Sequence, residues 1–131
     1  IAHLERYAVP ATYTIIPDEV ADIQNHIKQA VNENTSLVLI TGGTGLSPRD
    51  VTPEAVRPLL DREIEGIAET IRSYGQERTP YSMLSRSVAG TIGNSLVIAL
   101  PGSTKGATES MDAIFPAVFH IFKMLKGGRH D

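Results

Sequence analysis

Thr41-Gly-Gly-Thr-Gly45 and Asp50 are the residues whose types and spacing best suit chemistry in this sequence. A loop so rich in glycine exposes several backbone N–H groups with little side-chain obstruction, which is what a bound phosphate needs. Taken alone, the same run serves equally well as a tight turn. It is not one of the common nucleotide fingerprints. Gly43-Thr-Gly45 continues as Leu46-Ser-Pro48 and so lacks the last glycine of G-x-G-x-x-G, and no G-x-x-x-x-G-K-[ST] occurs. Just downstream, Pro48-Arg49-Asp50-Val51-Thr52 brings a cation, a carboxylate and a hydroxyl close to the glycines. A carboxylate beside a phosphate cradle repels the ligand unless a divalent cation lies between them. Asp50 therefore points to magnesium shared with phosphate oxygens. The alternative reading makes Asp50 a loop cap and Thr52 a helix N-cap.

A second loop, Pro101-Gly102-Ser103-Thr104-Lys105-Gly106, has the same placement between a strand and a helix. Its backbone amides, with Ser103 and Lys105, could hold an anionic or carbonyl-rich ligand, and in isolation it reads as a helix entrance. Asp18 lies just past a strand end, where it either caps a helix or faces the same sheet edge. The histidines at 3, 26, 120 and 130 have no metal-ligand spacing, so none is read as a ligand. Ser85 and Ser103 lack a G-x-S-x-G context, which argues against serine hydrolase chemistry.

The elements that must position these loops follow from periodicity. Ile1 to Val9 has helical spacing up to Pro10. Thr12 to Ile16 is rich in β-branched and aromatic residues and stops at Pro17, as a strand does. Asp18 then opens a helix to about Asn32, with Val20, Ile23, Ile27, Ala30 and Val31 on its apolar face. Ser36 to Thr41 carries four consecutive apolar residues, which predicts a central strand of a parallel sheet covered on both faces. Thr52-Pro53-Glu54 reads as N-cap, first helical proline and first-turn acid. Leu60, Ile64, Ile67, Ala68 and Ile71 mark a helix between Leu59 and Tyr74, with Gly66 a weak point in it. Val88 to Ile92 and Leu96 to Leu100 form two strands joined at Gly93-Asn94. A last helix runs from about Lys105 to Leu125, kinked at Pro116 and ended by Gly127-Gly128.

Alternating strands and helices imply an α/β fold: a three-layer sandwich with a mostly parallel central sheet flanked by helices. Ligands of such sheets sit outside the carboxyl ends of the strands, where both glycine loops fall. The 131 residues, 41% hydrophobic, are read as one domain over 1–131. A net charge of −3 argues against nucleic acid and acidic membranes as partners. No apolar run approaches the roughly 20 residues that cross a bilayer. With no cysteine there is neither a disulfide framework nor a thiolate metal site, and a cytoplasmic location is expected.

Leu37 to Gly45, Pro48 to Ala55, Met83-Leu-Ser-Arg86 and Leu100 to Gly106 together resemble the ordered motif set of molybdopterin adenylyltransferases. These are the bacterial MogA/MoaB-like proteins and the gephyrin G domain. The resemblance extends from about Thr12 to Leu125. Molybdenum insertases and CinA-like nucleotide amidases are similar in fold but match the glycine loop less well. The resemblance implies transfer of AMP from Mg-ATP to the terminal phosphate of molybdopterin, giving adenylyl-molybdopterin and pyrophosphate.

It also implies residue roles. Gly42, Gly43, Thr44 and Gly45 match the substrate-binding glycine loop. Asp50 matches a functionally important aspartate acting through magnesium, and Asp18 a second active-site aspartate. Ser85 and Arg86 match a stretch bordering the pocket, and Pro101, Gly102, Ser103, Lys105 and Gly106 match the second ligand loop. A homotrimer is implied, with a molybdenum insertase or a fused biosynthetic domain as partner. The family opens with a strand and a Ser-Asp-containing loop that nothing in this sequence matches, so the domain is read as lacking that segment. The alternative function is a non-catalytic molybdopterin carrier module within a fused cofactor-biosynthesis protein.

Overall fold

The computed structural model describes Leu4 and residues 11–127. Four strands form one sheet: β1 (Leu37–Thr41), β2 (Arg62–Glu63), β3 (Ala89–Ile92) and β4 (Ser95–Leu100), in the order β1-β4-β3-β2. Around it lie α1 (Val20–Asn32), α2 (Thr52–Val56), α3 (Glu65–Gln76), α4 (Thr104–Ile114) and α5 (His120–Leu125). Every residue of β4 is buried, and its side chains alternate between two cores as the two-residue period of a strand requires. Leu96, Ile98 and Leu100 pack with Ile71 of α3 and with Met111 and Ile114 of α4. Val97 and Ala99 pack with Ile23 and Ile27 of α1 and with Ala55 and Val56 of α2. The α/β class and the helical layer on each face are therefore as expected.

The sheet is mixed, where the sequence suggested mostly parallel strands. β1 pairs with β4 in parallel, whereas β4 with β3 and β3 with β2 are antiparallel. The cause is the tight turn between β3 and β4. Ile92 pairs with Ser95, and Gly93 adopts φ 58°, as the first position of a two-residue hairpin loop demands.

Nor is β1 central: among the described residues it is an edge strand, paired with β4 alone. Thr12 to Ile16, expected as a strand, is not one, and Tyr13 and Ile15 are 74% and 81% exposed. A β-rich segment becomes a strand only when a neighbour accepts its hydrogen bonds, and no described strand does so here.

Helix α1 ends where expected, with Asn34 at φ 62° in the left-handed position that terminates helices. Helix α3 begins at Glu65, later than its apolar period suggested. The preceding residues join the sheet instead: the Asp61 amide donates to the Thr91 carbonyl at 2.7 Å, and that of Ile64 to the Ala89 carbonyl at 2.8 Å. The last helix is broken, not merely kinked. Phe115 is extended, with ψ 146°, and Pro116 supplies no amide to continue the ladder, so α4 stops and α5 starts afresh. Gly127 ends α5 at φ 80°. Gly128 and the expected helix at Ile1 to Val9, apart from the buried, helical Leu4, lie outside the described residues.

Candidate functional site

Thr41 and Leu100 are register partners at the carboxyl ends of β1 and β4, so the two glycine loops leave the sheet side by side. The Gly42 amide donates to the Leu100 carbonyl at 3.0 Å, which carries the ladder one step past the strand. A Cβ on Gly102 would lie 3.0 Å from the Gly42 Cα, so the two backbones touch. Glycine is needed at this approach, and also at Gly42 and Gly43, whose φ values are 96° and 70°.

Thr52 supports the first loop from beneath. Its side chain is buried, and its hydroxyl donates to the Gly42 carbonyl at 2.8 Å, while its amide donates to the Gly43 carbonyl at 3.1 Å. A Cβ on Gly43 would collide with that hydroxyl. Thr52 was expected to be the N-cap of α2. Instead Val51 holds the N-cap position, where its apolar side chain can accept no hydrogen bond, and the Thr52 hydroxyl is committed to the glycine loop.

Asp50 closes the rest of the loop. Its Oδ2 accepts the Ser47 amide at 2.9 Å, and the Asp50 amide donates to the Ser47 carbonyl at 2.9 Å. The carboxylate rests on Gly45, where a Cβ would come within 2.7 Å of Oδ2. Among the described residues Oδ1 accepts no hydrogen bond, so one oxygen caps the loop and the other remains available. The amides of Gly43, Thr44, Gly45 and Leu46 likewise find no acceptor among the described residues. Consecutive unpaired amides in a partly buried loop are what an anion would satisfy.

Arg86 lies on the other side of this loop with its guanidinium occupied. Nε donates to the Gly45 carbonyl at 2.8 Å and Nη2 to the Asp50 carbonyl at 2.7 Å. Nη1 and Nη2 grip the Glu54 carboxylate at 2.6 and 3.2 Å, and the Arg86 amide donates to the Thr44 carbonyl at 2.7 Å. The hydrogen bond from Arg86 holds the Glu54 carboxyl below its ordinary value, and the same bond raises the guanidinium pKa. Neighbouring hydroxyls form a chain, with Thr44 Oγ1 3.4 Å from Ser85 Oγ, which is 3.1 Å from Ser87 Oγ. Arg72 of α3 braces that segment by donating to the Ser87 carbonyl at 3.2 Å. Ser85 and Arg86 also line a cleft of about 380 Å³ together with Arg57, Arg72, Glu63 and Met83.

The second loop is simpler. Ser103 is the N-cap of α4, its hydroxyl accepting the Gly106 amide at 2.9 Å, while the Lys105 side chain is exposed to solvent. Asp18 does not cap α1: Glu19 holds the N-cap position without a side-chain bond, and Asp18 lies in an exposed bend. No hydrogen bond among the described residues joins Asp18 to either loop. Sequence reasoning thus gathered both loops and Asp50 but missed the structural work of Glu54, Thr52, Ser87 and Arg72. The opposite charges of Glu54 and Arg86, each within a segment flanking a loop, were the available signal.

Residues 3–120 match the family described as a probable molybdopterin binding domain. The chain belongs to this family. It is 40% identical over 117 residues to a molybdenum cofactor biosynthesis bifunctional protein of Chlorobaculum tepidum, covering 89% of this chain and 38% of that protein. It is 41% identical over 118 residues to molybdenum cofactor biosynthesis protein B of Staphylococcus aureus, covering 88% of this chain and 70% of the relative. Among solved structures, the molybdopterin biosynthesis enzyme MoaB of Thermus thermophilus superposes with a TM-score of 0.85 at 41% identity, covering 99% of this chain and 86% of that one. The chain thus spans well under half of the bifunctional relative and most of the two smaller ones. These relatives are proteins of molybdenum cofactor or molybdopterin biosynthesis. No helix among the described residues is long and apolar enough to cross a membrane.

Proposed function

We propose that this domain transfers AMP from Mg-ATP to molybdopterin. The observation that carries the reading is the row of unpaired amides at Gly43 to Leu46 beside the unengaged Oδ1 of Asp50, set against the second loop at one sheet edge. In the reaction an oxygen of the terminal molybdopterin phosphate attacks the α-phosphorus of ATP. A new P–O bond forms, the bond to the β-phosphate breaks, and pyrophosphate leaves with its electron pair. No protein nucleophile is required, so catalysis is positioning and charge neutralisation. The loop amides would hold phosphate oxygens, Lys105 would add a positive charge at the second loop, and Asp50 would offer one carboxylate oxygen to the magnesium that arrives with ATP. A lone carboxylate suits magnesium carried on substrate phosphates.

Asp18 is assigned as a second active-site carboxylate on the resemblance alone, the same resemblance supports a homotrimer, and the cysteine-free sequence fits a cytoplasmic location. The test is pyrophosphate release from ATP with magnesium and molybdopterin by the full-length protein and by Asp50→Ala. Release that falls about 100-fold or more in the variant supports the assignment, given what one charge-stabilising group is worth. The bifunctional relative favours a second reading, in which the domain carries molybdopterin inside a fused protein. Molybdopterin binding without pyrophosphate release would establish that reading in place of the first.

A further inference from the structure

We propose that Arg86 and Glu54 are a positioning pair that sets the shape of the Asp50 loop without touching the ligand. The inference rests on the reading of that loop as the phosphate site. A guanidinium has five N–H donors, and Arg86 makes four hydrogen bonds within the protein, to Gly45, Asp50 and both oxygens of Glu54. Those acceptors are the two ends of the 45–50 loop and the first turn of the helix that follows it. The guanidinium therefore spans the loop as a tie, with the carboxylate of Glu54 fixing its plane.

Within the loop itself the ties are local, between Ser47 and Asp50. Among the described residues, only Arg86 links by hydrogen bonds Gly45, where the row of unpaired amides runs, to Asp50, which carries the unengaged carboxylate oxygen. The Arg86 amide fixes the neighbouring Thr44 carbonyl, so backbone and side chain of one residue act on the same stretch. Glu54 also neutralises Arg86, which leaves Lys105 as the stronger candidate for direct charge on an anionic ligand. A lysine at position 86 would keep the charge but lose the planar fork, so Arg86→Lys separates geometry from charge.

The experiment compares wild type, Arg86→Lys, Glu54→Gln and the control Arg78→Gln in the full-length protein. Amide hydrogen exchange is followed at Ser47, Asp50 and Thr52, with the β4 amides as a reference for global opening. For Arg86→Lys, exchange at the three loop amides is expected to rise about tenfold with β4 unchanged. In the pyrophosphate assay kcat is expected to fall about tenfold or more while KM for Mg-ATP stays within about threefold. Glu54→Gln moves both readouts the same way by less, and the control moves neither.

A raised KM with loop exchange unchanged would mean that Arg86 contacts the ligand, and would overturn the proposal. Exchange rising equally in β4 would reduce the pair to general stability and overturn it as well. If wild type releases no pyrophosphate, the adenylyltransferase reading fails separately. Molybdopterin affinity then replaces kcat, with loop exchange and affinity expected to worsen together and unchanged affinity counting against the pair.

Discussion

The loops after β1 and β4 leave register partners of one ladder, yet they are held in different ways. The first is tied at its start by Thr52 and the Leu100 carbonyl, along its length by Arg86, and at its end by the Ser47–Asp50 turn. The second is held by the Gly102 approach and by the Ser103 cap, after which α4 takes over. A phosphate site that relies on backbone amides must have its shape fixed in advance, because amides on a mobile loop would have to be ordered by the ligand itself. A loop that offers a lysine can tolerate more freedom, because a flexible ammonium group finds its own distance. The first loop is thus built as a rigid cradle and the second as a helix start that brings a cation.

Gly43→Ala attacks this contrast most directly. A methyl group there meets both the left-handed φ of 70° and the Thr52 hydroxyl. It should destabilise the domain by about 2–4 kcal/mol and abolish molybdopterin binding, as read by denaturant titration and by calorimetry. Thr52→Val keeps the shape but removes the donor to the Gly42 carbonyl, with an expected cost of about 1–2 kcal/mol and weaker ligand binding. Ser103→Ala at the second loop should cost about 1 kcal/mol through the lost cap, with a smaller change in affinity than Thr52→Val. If the two substitutions weaken binding equally, the loops do not differ in the way described.

The smallest effect concerns pH. Because the folded Glu54 carboxyl is held below its ordinary value of 4.5, its contribution is complete above that value and is lost as pH falls through the lowered folded value. The stability gap between wild type and Glu54→Gln should therefore be flat from about pH 6 to 8 and close in the acid range below about 4.5. The pair is solvent-facing, with side chains 33% and 50% exposed, so the gap is modest throughout. A gap that opens on acidification would contradict the assigned direction.

Local signals carry far in this chain. The apolar face of α1, the hairpin at Gly93-Asn94 and the glycine run after β1 each have a short-range cause, namely a 3.6-residue period, a turn dipeptide and backbone freedom. These suffice for the α/β class, the two loops and the place of Asp50. Thr12 to Ile16 and the start of α3 depart from expectation for a common reason. Their β-branched and apolar residues suit a strand or a helix locally, and the outcome depends on which neighbour can accept the backbone hydrogen bonds.

By itself the sequence determined which residues could bend, cap and bury, and hence where the loops and their glycines fall. Only the tertiary structure decided that Thr41 and Leu100 end side by side, that the Thr52 hydroxyl serves the Gly42 carbonyl instead of its own helix, and that Arg86 reaches across to both ends of the Asp50 loop. The reason is separation along the chain. Propensity and period act over a few residues, whereas each of these contacts joins segments whose meeting is fixed by the pairing of β1 with β4 and by the packing of α2 and α3 on the sheet.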